Sequence, residues 1–413
     1  MSMKLQVFFY LLLLINQGFS QISGCTDPLA ENFNVAATKN DGSCMYPSTK
    51  IKSFSSVLLQ NYLPEISGLV SYQGSLWGHN DNSDRKIYRI DTSTGFVIES
   101  KKMLGGENRD WEDVCSDDSF IYLGDFGNNY RGNRKDLTIY KWRKSLLADS
   151  FFVQDSIRFF YPEQTDFSEL SPNKTNFDCE AMVAVGDSLY LFTKEWGNLG
   201  STIYRLSKNG DFQSALKIGD LPVSGLITGA TYNKTHHAFV LVGYSDLLQP
   251  FLYLLYDFDG NNFSTCNKRK VSVDLPFYQL EAIEFIDSYV VALGNERFSN
   301  SFIKTEESLQ FVNLSFLLGD YYGRKLNTVN FADAMMRFEI SQNPSKVGQR
   351  SVLIVRGANR CVPIQQELQI LSETGSVIRT LFLTTDRMEL PELSSGLYLV
   401  GNAQLGFVKW VVL

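Results

Sequence analysis

Asp178-Cys179-Glu180-Ala181-Met182-Val183-Ala184-Val185-Gly186-Asp187-Ser188-Leu189-Tyr190-Leu191-Phe192-Thr193-Lys194-Glu195 reads as a strand opened by acidic residues, a tight turn, an apolar second strand and an acidic loop. The pattern occurs five times. Its other copies begin at Glu65-Ile66-Ser67-Gly68-Leu69, Asp110-Trp111-Glu112-Asp113-Val114, Ile227-Thr228-Gly229-Ala230-Thr231 and Gln279-Leu280-Glu281-Ala282-Ile283. Second strands rich in β-branched and aromatic residues follow at Leu76 to His79, Phe120 to Gly124, Leu189 to Thr193, Ala238 to Gly243 and Tyr289 to Gly294. Third strands are plainest at Lys86 to Ile90, Leu137 to Lys141 and Thr202 to Leu206, and a Leu-Pro step recurs at Leu63-Pro64, Leu221-Pro222 and Leu275-Pro276.

Starts spaced about 45 to 70 residues apart are the period of propeller blades. The expected fold is all-β: a five-bladed β-propeller over 48–316, six-bladed if an irregular blade lies in the longer interval between the second and third copies. Ser53 to Gln60 is a strand with no blade before it. Its natural use is to complete the last blade beside Leu309 to Phe316, closing the ring and removing exposed sheet edges.

With 413 residues the chain has room for more than one domain. A formal charge of −7 and 13% aromatic content argue against a nucleic-acid partner, which would require a concentrated basic surface. Residues 1–20 carry Lys4, an apolar run from Val7 to Ile15 and the small-residue end Gly18-Phe19-Ser20, the layout of a signal peptide too short to span a bilayer. No later stretch is a transmembrane candidate, so the mature protein is expected to be secreted or held at the cell surface.

Residues 21–47 hold Gly24-Cys25-Thr26-Asp27-Pro28 and, further on, Asn32-Phe33-Asn34 and Asp41-Gly42-Ser43-Cys44. Ile22-Ser23-Gly24-Cys25 resembles a lipoprotein cleavage box, but it lies far beyond the apolar run. The block as a whole resembles a small Cys-bracketed module of secreted Bacteroidota proteins, which implies a Cys25–Cys44 bridge worth roughly 3 kcal/mol by loop entropy. Asp27, Asn32, Asn34 and Asp41 are candidate calcium ligands there, or else turn formers. Cys115, Cys179, Cys266 and Cys361 form no evident framework and are left unpaired.

A polar connector over 317–339 leads to 340–413, where the pattern changes to that of a small antiparallel β-sandwich. Four features stand out: Asn343-Pro344, Ile370-Leu371 leading to Gly375, Leu390-Pro391-Glu392-Leu393-Ser394-Ser395-Gly396-Leu397-Tyr398-Leu399-Val400, and the closing Lys409-Trp410-Val411-Val412. The region resembles the C-terminal sorting domain of the type IX secretion system of Bacteroidota. The resemblance implies export through the periplasm and outer membrane, with the secretion machinery as a partner.

In a propeller the loops entering first strands and leaving second strands open on one face. This gathers Glu65, Asp110, Glu112, Asp178, Glu180 and Glu281 with Asp81, Asp125, Glu195, Asp246 and Glu296 around the channel mouth. Like charges so close cannot all ionise without compensation. Three readings follow: structural clasps accepting backbone N–H groups, calcium ligands led by Glu180 and Glu281, or carboxylates that activate a water. His79 lies beside this rim, while His236 and His237 fall in a turn on the opposite face. The loop Gly124 to Arg134, with Trp111, Trp196 and Arg297, suits a sugar or an anion.

The Leu63-Pro64-Glu65-Ile66-Ser67-Gly68-Leu69 stretch and the Glu180-Ala181-Met182 and Glu281-Ala282-Ile283 strands resemble exported bacterial propellers of the strictosidine-synthase-like and lactonase-like group. That group implies calcium and lactone or phosphate-ester hydrolysis for some members, and the acid run of propeller phytases is absent. The expected function is a surface or secreted binding module for a small-molecule, glycan or protein ligand. The alternative is a calcium-dependent lactone or ester hydrolase with Glu65, Glu112, Glu180 and Glu281 around the ion.

Overall fold

Short strands buried on both faces along most of their length build an all-β chain in two compact units, Met1–Asn313 and Leu314–Leu413. The computed structural model describes residues 21–413 except 82–83, 147–149, 154, 301, 320, 322–336, 342, 348–349, 357–365, 374–375, 384–386 and 403–405. The signal segment 1–20, Cys361 and most of the connector lie outside the described residues. Among those residues no helix is long and apolar enough to cross a membrane, a statement about helices alone.

The first unit is built on five sheets whose strands run in chain order from the innermost outward, except the outermost strand of the fourth and of the fifth. Their inner strands are Ile66–Tyr72, Trp111–Ser116, Cys179–Val185, Leu226–Asn233 and Leu280–Phe285. Each inner strand packs on the next, and Leu280–Phe285 packs on Ile66–Tyr72. The fifth sheet takes its outermost strand, Ser55–Leu58, from ahead of the first sheet, in antiparallel register with Leu58 opposite Ser308 and Ser55 opposite Phe311. The interval between the second and third copies supplies Asp155–Phe160, the fourth strand of the second sheet, and Ser150–Phe152, which pairs parallel to the outer strand Val97–Leu104. Parallel edge strands also cover the second sheet, with Phe212–Ser214, and the fourth, with Lys50–Ile51. Such additions blunt edges that would otherwise pair with other chains.

The apolar faces meet between consecutive sheets. Trp77 and Ile87 of the first sheet pack with Val114, Ile121 and Leu123 of the second, and Phe192 and Ile203 of the third pack with Ile227, Phe239 and Leu241 of the fourth. Leu69, Leu76 and Tyr88 of the first pack with Ala282, Ala292 and Leu309 of the fifth. Each fully buried aliphatic or aromatic side chain contributes roughly 1.5–3 kcal/mol.

Residues 21–47 lie against the fourth sheet. Cys25 and Cys44 are joined in a disulfide. Buried Asp27 accepts hydrogen bonds from Tyr46 and Tyr256 hydroxyls, both at 2.7 Å, and Asn40 donates to Asn267 at 2.7 Å. Cys115, Cys179 and Cys266 are buried free thiols.

The second unit holds two sheets, Arg337–Ser341, Val352–Arg356 and Arg387–Glu389 in one, and Val377–Leu383, Gln366–Ser372, Gly396–Asn402 and Gly406–Val412 in the other. Leu353 of the first and Leu368, Ile370, Val400 and Trp410 of the second share one core. The Asn343 side chain donates to Lys409 O at 2.6 Å and accepts from Val411 N at 2.9 Å, tying the early Asn-Pro to the closing strand.

Candidate functional site

All five sheets are irregular at the same place. The register of the first two strands slips between Ile66 and Gly68, Cys179 and Ala181, Ile227 and Gly229, and Leu280 and Ala282. In the second sheet Trp111 and Val114 stand opposite Asp125 and Leu123, so three steps face two. A β-bulge of this kind re-aims a side chain and is common beside functional sites. The residues it re-aims are Ser67, Glu180, Thr228 and Glu281, with Glu112 in the corresponding segment. Two of the five are hydroxyls that bond the next sheet's backbone: Ser67 Oγ donates to Glu112 O at 2.7 Å and Thr228 Oγ1 to Leu280 O at 2.5 Å. The other three are glutamates, and all three line a cavity of about 210 Å³.

Asp81, Glu296 and Lys194 complete the charged lining, with Trp196, Tyr244, Gln279, Asn129 and Asn173. Lys194 is buried and is the cation of the site. Its Nζ lies 3.3 Å from Glu180 Oε2 and 3.9 Å from Glu281 Oε2, over the rings of Trp196 at 5.0 Å and Tyr244 at 5.6 Å. Burial works against the Lys194 charge, yet Glu180 and Glu281 outweigh it and hold the ammonium well above the usual lysine range.

The carboxyls are raised as well, which for an acid favours the neutral form. Burial, with Glu180 and Asp110 adding repulsion, holds Glu112 well above the usual range. Burial likewise raises Glu180 against the pull of Lys194, and raises Glu281, whose Oε1 accepts from the Tyr244 hydroxyl at 2.9 Å. Asp81 is pushed up to about 7 by burial and by Glu65 and Glu281, and Glu296 to about 9 by burial, Glu281 and Asp81. Asp110, against Glu112, is raised to about 6 by burial and Asp178. Asp178 and Glu180 touch carboxyl to carboxyl, a contact that needs a proton between them. Glu180 is 2% exposed, between the Asp178 carboxyl and the Lys194 ammonium.

The remaining candidates fall elsewhere. Asp125 is held by Arg134 at 3.0 Å and by Asp110 N at 3.1 Å, and Glu195 by the hydroxyls of Thr193 at 3.1 Å and Thr202 at 2.6 Å. Asp81 N, Lys194 N and Glu296 N donate to Glu65 O, Asp178 O and Gln279 O. The residue equivalent to Asp81 and Glu296 is therefore Lys194, one place before Glu195. A one-residue slip turns a side chain to the other face of a strand, which is why the expected common position of Glu195 fails. Glu65 and Asp246 are exposed.

His79 also differs from its expected place on the rim. It is fully buried against Gly68 and edge-on to Trp111, its Nδ1 lies 3.1 Å from Asn80 O, and burial lowers it to about 4, so it is neutral.

In the N-terminal module the four candidate calcium oxygens make local bonds. Asp27 Oδ1 accepts from Leu29 N, Asn32 Oδ1 from Met45 N, Asn34 Oδ1 from Ala36 N and Asp41 Oδ1 from Ser43 N. Among the described residues no group of three or more His, Cys, Asp or Glu converges as a metal-ligand set.

No family model matches the chain, and no curated protein matches it. Among solved structures it is similar to the glutaminyl cyclase of Myxococcus xanthus, at 12% identity over 65% of this chain and 98% of that one, TM-score 0.38. It is similar to the WD40 repeats of RRP9, at 10% identity over 64% and 98%, TM-score 0.35. A third is PorZ, a bacterial surface component of the type IX secretion system of Porphyromonas gingivalis, at 11% identity over 84% of this chain and 45% of that one, TM-score 0.31. Likenesses at these scores say nothing about the ligand or chemistry of this chain.

Sequence reasoning missed Lys194 and Tyr244 as site residues, and it missed two clasps. Asp113 accepts from Val114 N at 2.8 Å and Met182 N at 2.7 Å, and Glu284 from Ser71 N at 3.0 Å and the Thr231 hydroxyl at 2.7 Å, each crossing between sheets. Of the acids expected at the channel mouth, Asp178 acts this way, taking Asn128 N at 2.5 Å and Trp196 Nε1 at 2.8 Å. A buried acid inside an apolar strand was the available signal for Asp113.

Proposed function

We propose that the chain is an exported five-bladed β-propeller, closed by Ser55–Leu58, that binds a small ligand in the acidic cavity at the bulged ends of its inner strands. The observation that carries the binding reading is the cavity itself, where Glu112, Glu180 and Glu281 from three sheets meet beside the Lys194 ammonium. A concave pocket where polar groups of shifted proton affinity converge is the usual place for a ligand. Ring closure is supported by the pairing of Ser55–Leu58 with Ser308–Asn313 and by the packing of Leu280–Phe285 on Ile66–Tyr72. Export by the type IX route is supported by the motifs of the C-terminal sandwich, two of which the Asn343 side chain links. A disulfide suits an oxidising compartment.

The hydrolase alternative requires calcium among the bulge glutamates, where it would compete with the Lys194 ammonium for Glu180 and Glu281. Thermal melts of the full chain in EDTA, then with millimolar calcium, sugars, carboxylic acids and amines, test both readings. A ligand at about 100 times its dissociation constant adds ~2.7 kcal/mol. A shift lost in Glu180→Gln supports the cavity as the binding site, and a calcium shift lost in that variant favours the hydrolase. No Glu180-dependent shift with any probe returns the carboxyls to a structural role.

A further inference from the structure

We infer that residues 21–60 form one strap that holds the fifth sheet to the first, and that the Cys25–Cys44 bridge is its redox-sensitive latch. This rests on the reading that Ser55–Leu58 closes the ring, and deepens it by naming what keeps that strand in place.

The strap is fastened in chain order to three sheets. On the fourth, Asn40 donates to Asn267 at 2.7 Å and the Thr26 hydroxyl to Asp257 at 3.3 Å. Gly42, at φ 79°, comes so near Ser264 O that a Cβ there would lie 2.6 Å from it, a close fit only glycine allows. Lys50–Ile51 then pairs parallel with Ser272 and Val273 of the same sheet. Ser55–Leu58 crosses to the fifth sheet and pairs with residues 308–311. Beyond it Gln60 Oε1 accepts from Val97 N of the first sheet at 3.2 Å, and Gly95 of that sheet's outer turn packs on Leu58 O. The seam so held joins the sheet that carries Asp81 to the one that carries Glu281 and Glu296, three residues of one cavity lining.

The closing strand depends on this anchorage. It is four residues long, and of them Val57 alone packs into the core between the sheets, while Ser55, Ser56 and Leu58 are exposed. A strand with so few buried contacts opens easily by itself. The bridge sits at the other end of the strap, where the anchor is made. Asp27 and Tyr46 each stand two residues beyond a joined cysteine, and they meet at Tyr256 of the fourth sheet. The Tyr46 and Tyr256 hydroxyls both donate to Asp27 Oδ2 at 2.7 Å and lie 3.1 Å apart. Apart from the bridge, the segment's own sheet is Ser23–Gly24 on Lys39–Asn40, too small to hold its shape without a staple. Cys25 is buried and Cys44 partly exposed, so a dithiol reductant attacks as a thiolate at Cys44 Sγ. The S–S bond breaks, and Cys25 leaves as a thiolate and takes a proton. The reductant's second thiol then displaces Cys44, which takes the other proton, and the reductant ends as a cyclic disulfide. The two halves of the anchor are then free to part.

Hydrogen exchange read by mass spectrometry on the full chain, with and without dithiothreitol, tests the inference. Among the described residues the other cysteines are free, so the reductant has one bridge to open. Reduction should quicken exchange at least tenfold in Asn267–Val273, beside Lys50–Ile51, and in Ser308–Asn313, beside the closing strand, and leave Ala238–Tyr244 unchanged. Cys25→Ala with Cys44→Ala should show the fast pattern at once and not respond to dithiothreitol. Quickening confined to residues 21–47 and Asn267–Val273 overturns the latch, because the closing strand then holds without it. No change on reduction overturns it too, as does quickening that extends equally to Ala238–Tyr244, which is unfolding of the whole unit. Val57→Asp separates the latch from ring closure. If Ser308–Asn313 exchanges as in wild type in that variant, Ser55–Leu58 does not guard it and both readings fail. If it quickens there but not on reduction, closure stands and the latch alone falls. The wild-type comparison decides the latch whether or not Val57→Asp folds.

Discussion

Lys194→Met replaces the buried ammonium of the acidic cavity with a neutral side chain of similar length, and the cost should depend strongly on pH. In the wild type, Lys194 lies 3.3 Å from Glu180 and 3.9 Å from Glu281, all three buried. Removing one member of a buried ion pair costs about 3–5 kcal/mol because the partner charge is left uncompensated. That figure applies where the partners stay ionised. Burial raises Glu180 and Glu281, so as pH falls they take protons and remain in place. Once both are neutral, the loss reduces to the ammonium's contact with the Trp196 and Tyr244 rings, about 1 kcal/mol. We therefore expect Lys194→Met to be about 1 kcal/mol less stable than wild type at pH 5 and about 3–5 kcal/mol less stable at pH 8. Urea unfolding followed by tryptophan fluorescence measures this in the full chain, since Trp77, Trp111, Trp142 and Trp196 all belong to the first unit. Equal destabilisation at the two pH values would refute the reasoning. So would a variant as stable as wild type at pH 8, because a pair whose loss costs nothing was not compensating the carboxyls.

The wild type itself should lose stability from pH 6 to pH 8. An acid whose folded pKa exceeds its unfolded value contributes fully below the unfolded value and loses that contribution as pH rises through the folded one. With Asp110, Asp81 and Glu296 raised to about 6, about 7 and about 9, the loss over this range is about 2–4 kcal/mol at up to ~1.4 kcal/mol per unit per group. A flat stability profile from urea unfolding at pH 6, 7 and 8 would contradict it. Asp113→Ala leaves Val114 N–H and Met182 N–H without their acceptor and should cost about 3 kcal/mol. Hydrogen exchange at the Met182 amide should quicken, and unchanged protection there would remove Asp113 from its clasping role. Replacing Cys25 and Cys44 together by Ser should cost roughly 3 kcal/mol or less. Limited proteolysis should then cut within residues 21–47 before the sheets, and a cleavage pattern identical to wild type would show that the module holds without its bridge.

The repeated sheets were legible in the sequence because strand signals are local: short apolar runs, turn residues and β-branched content recur within each copy, whatever lies across from it. Ser53 to Gln60 could be placed beside the last strand because it was left over from its own neighbourhood. The Cys25–Cys44 bridge followed from the motif around the two cysteines. The crowding of acids at one end of the inner strands was equally visible, since it needs only their common position near the strand starts.

Which of those acids act together depended on register, which the sequence does not carry. Glu180 and Glu281 point into the cavity because each sits on a bulge, and a bulge is a mismatch between two strands, not a property of one. Glu195 is one residue from the equivalent of Asp81 and Glu296, and that single step replaces an expected carboxylate with the Lys194 ammonium. The proton affinities depend on burial and on charges contributed by separate sheets, as when Glu65, Glu281 and Asp110 together raise Asp81. Local sequence determined the strands, the turns and the acidic end of the inner strands. Tertiary structure alone decided that Glu112, Glu180 and Glu281 share one cavity with one lysine, because Coulomb interaction and desolvation depend on distances that exist only once the sheets have packed.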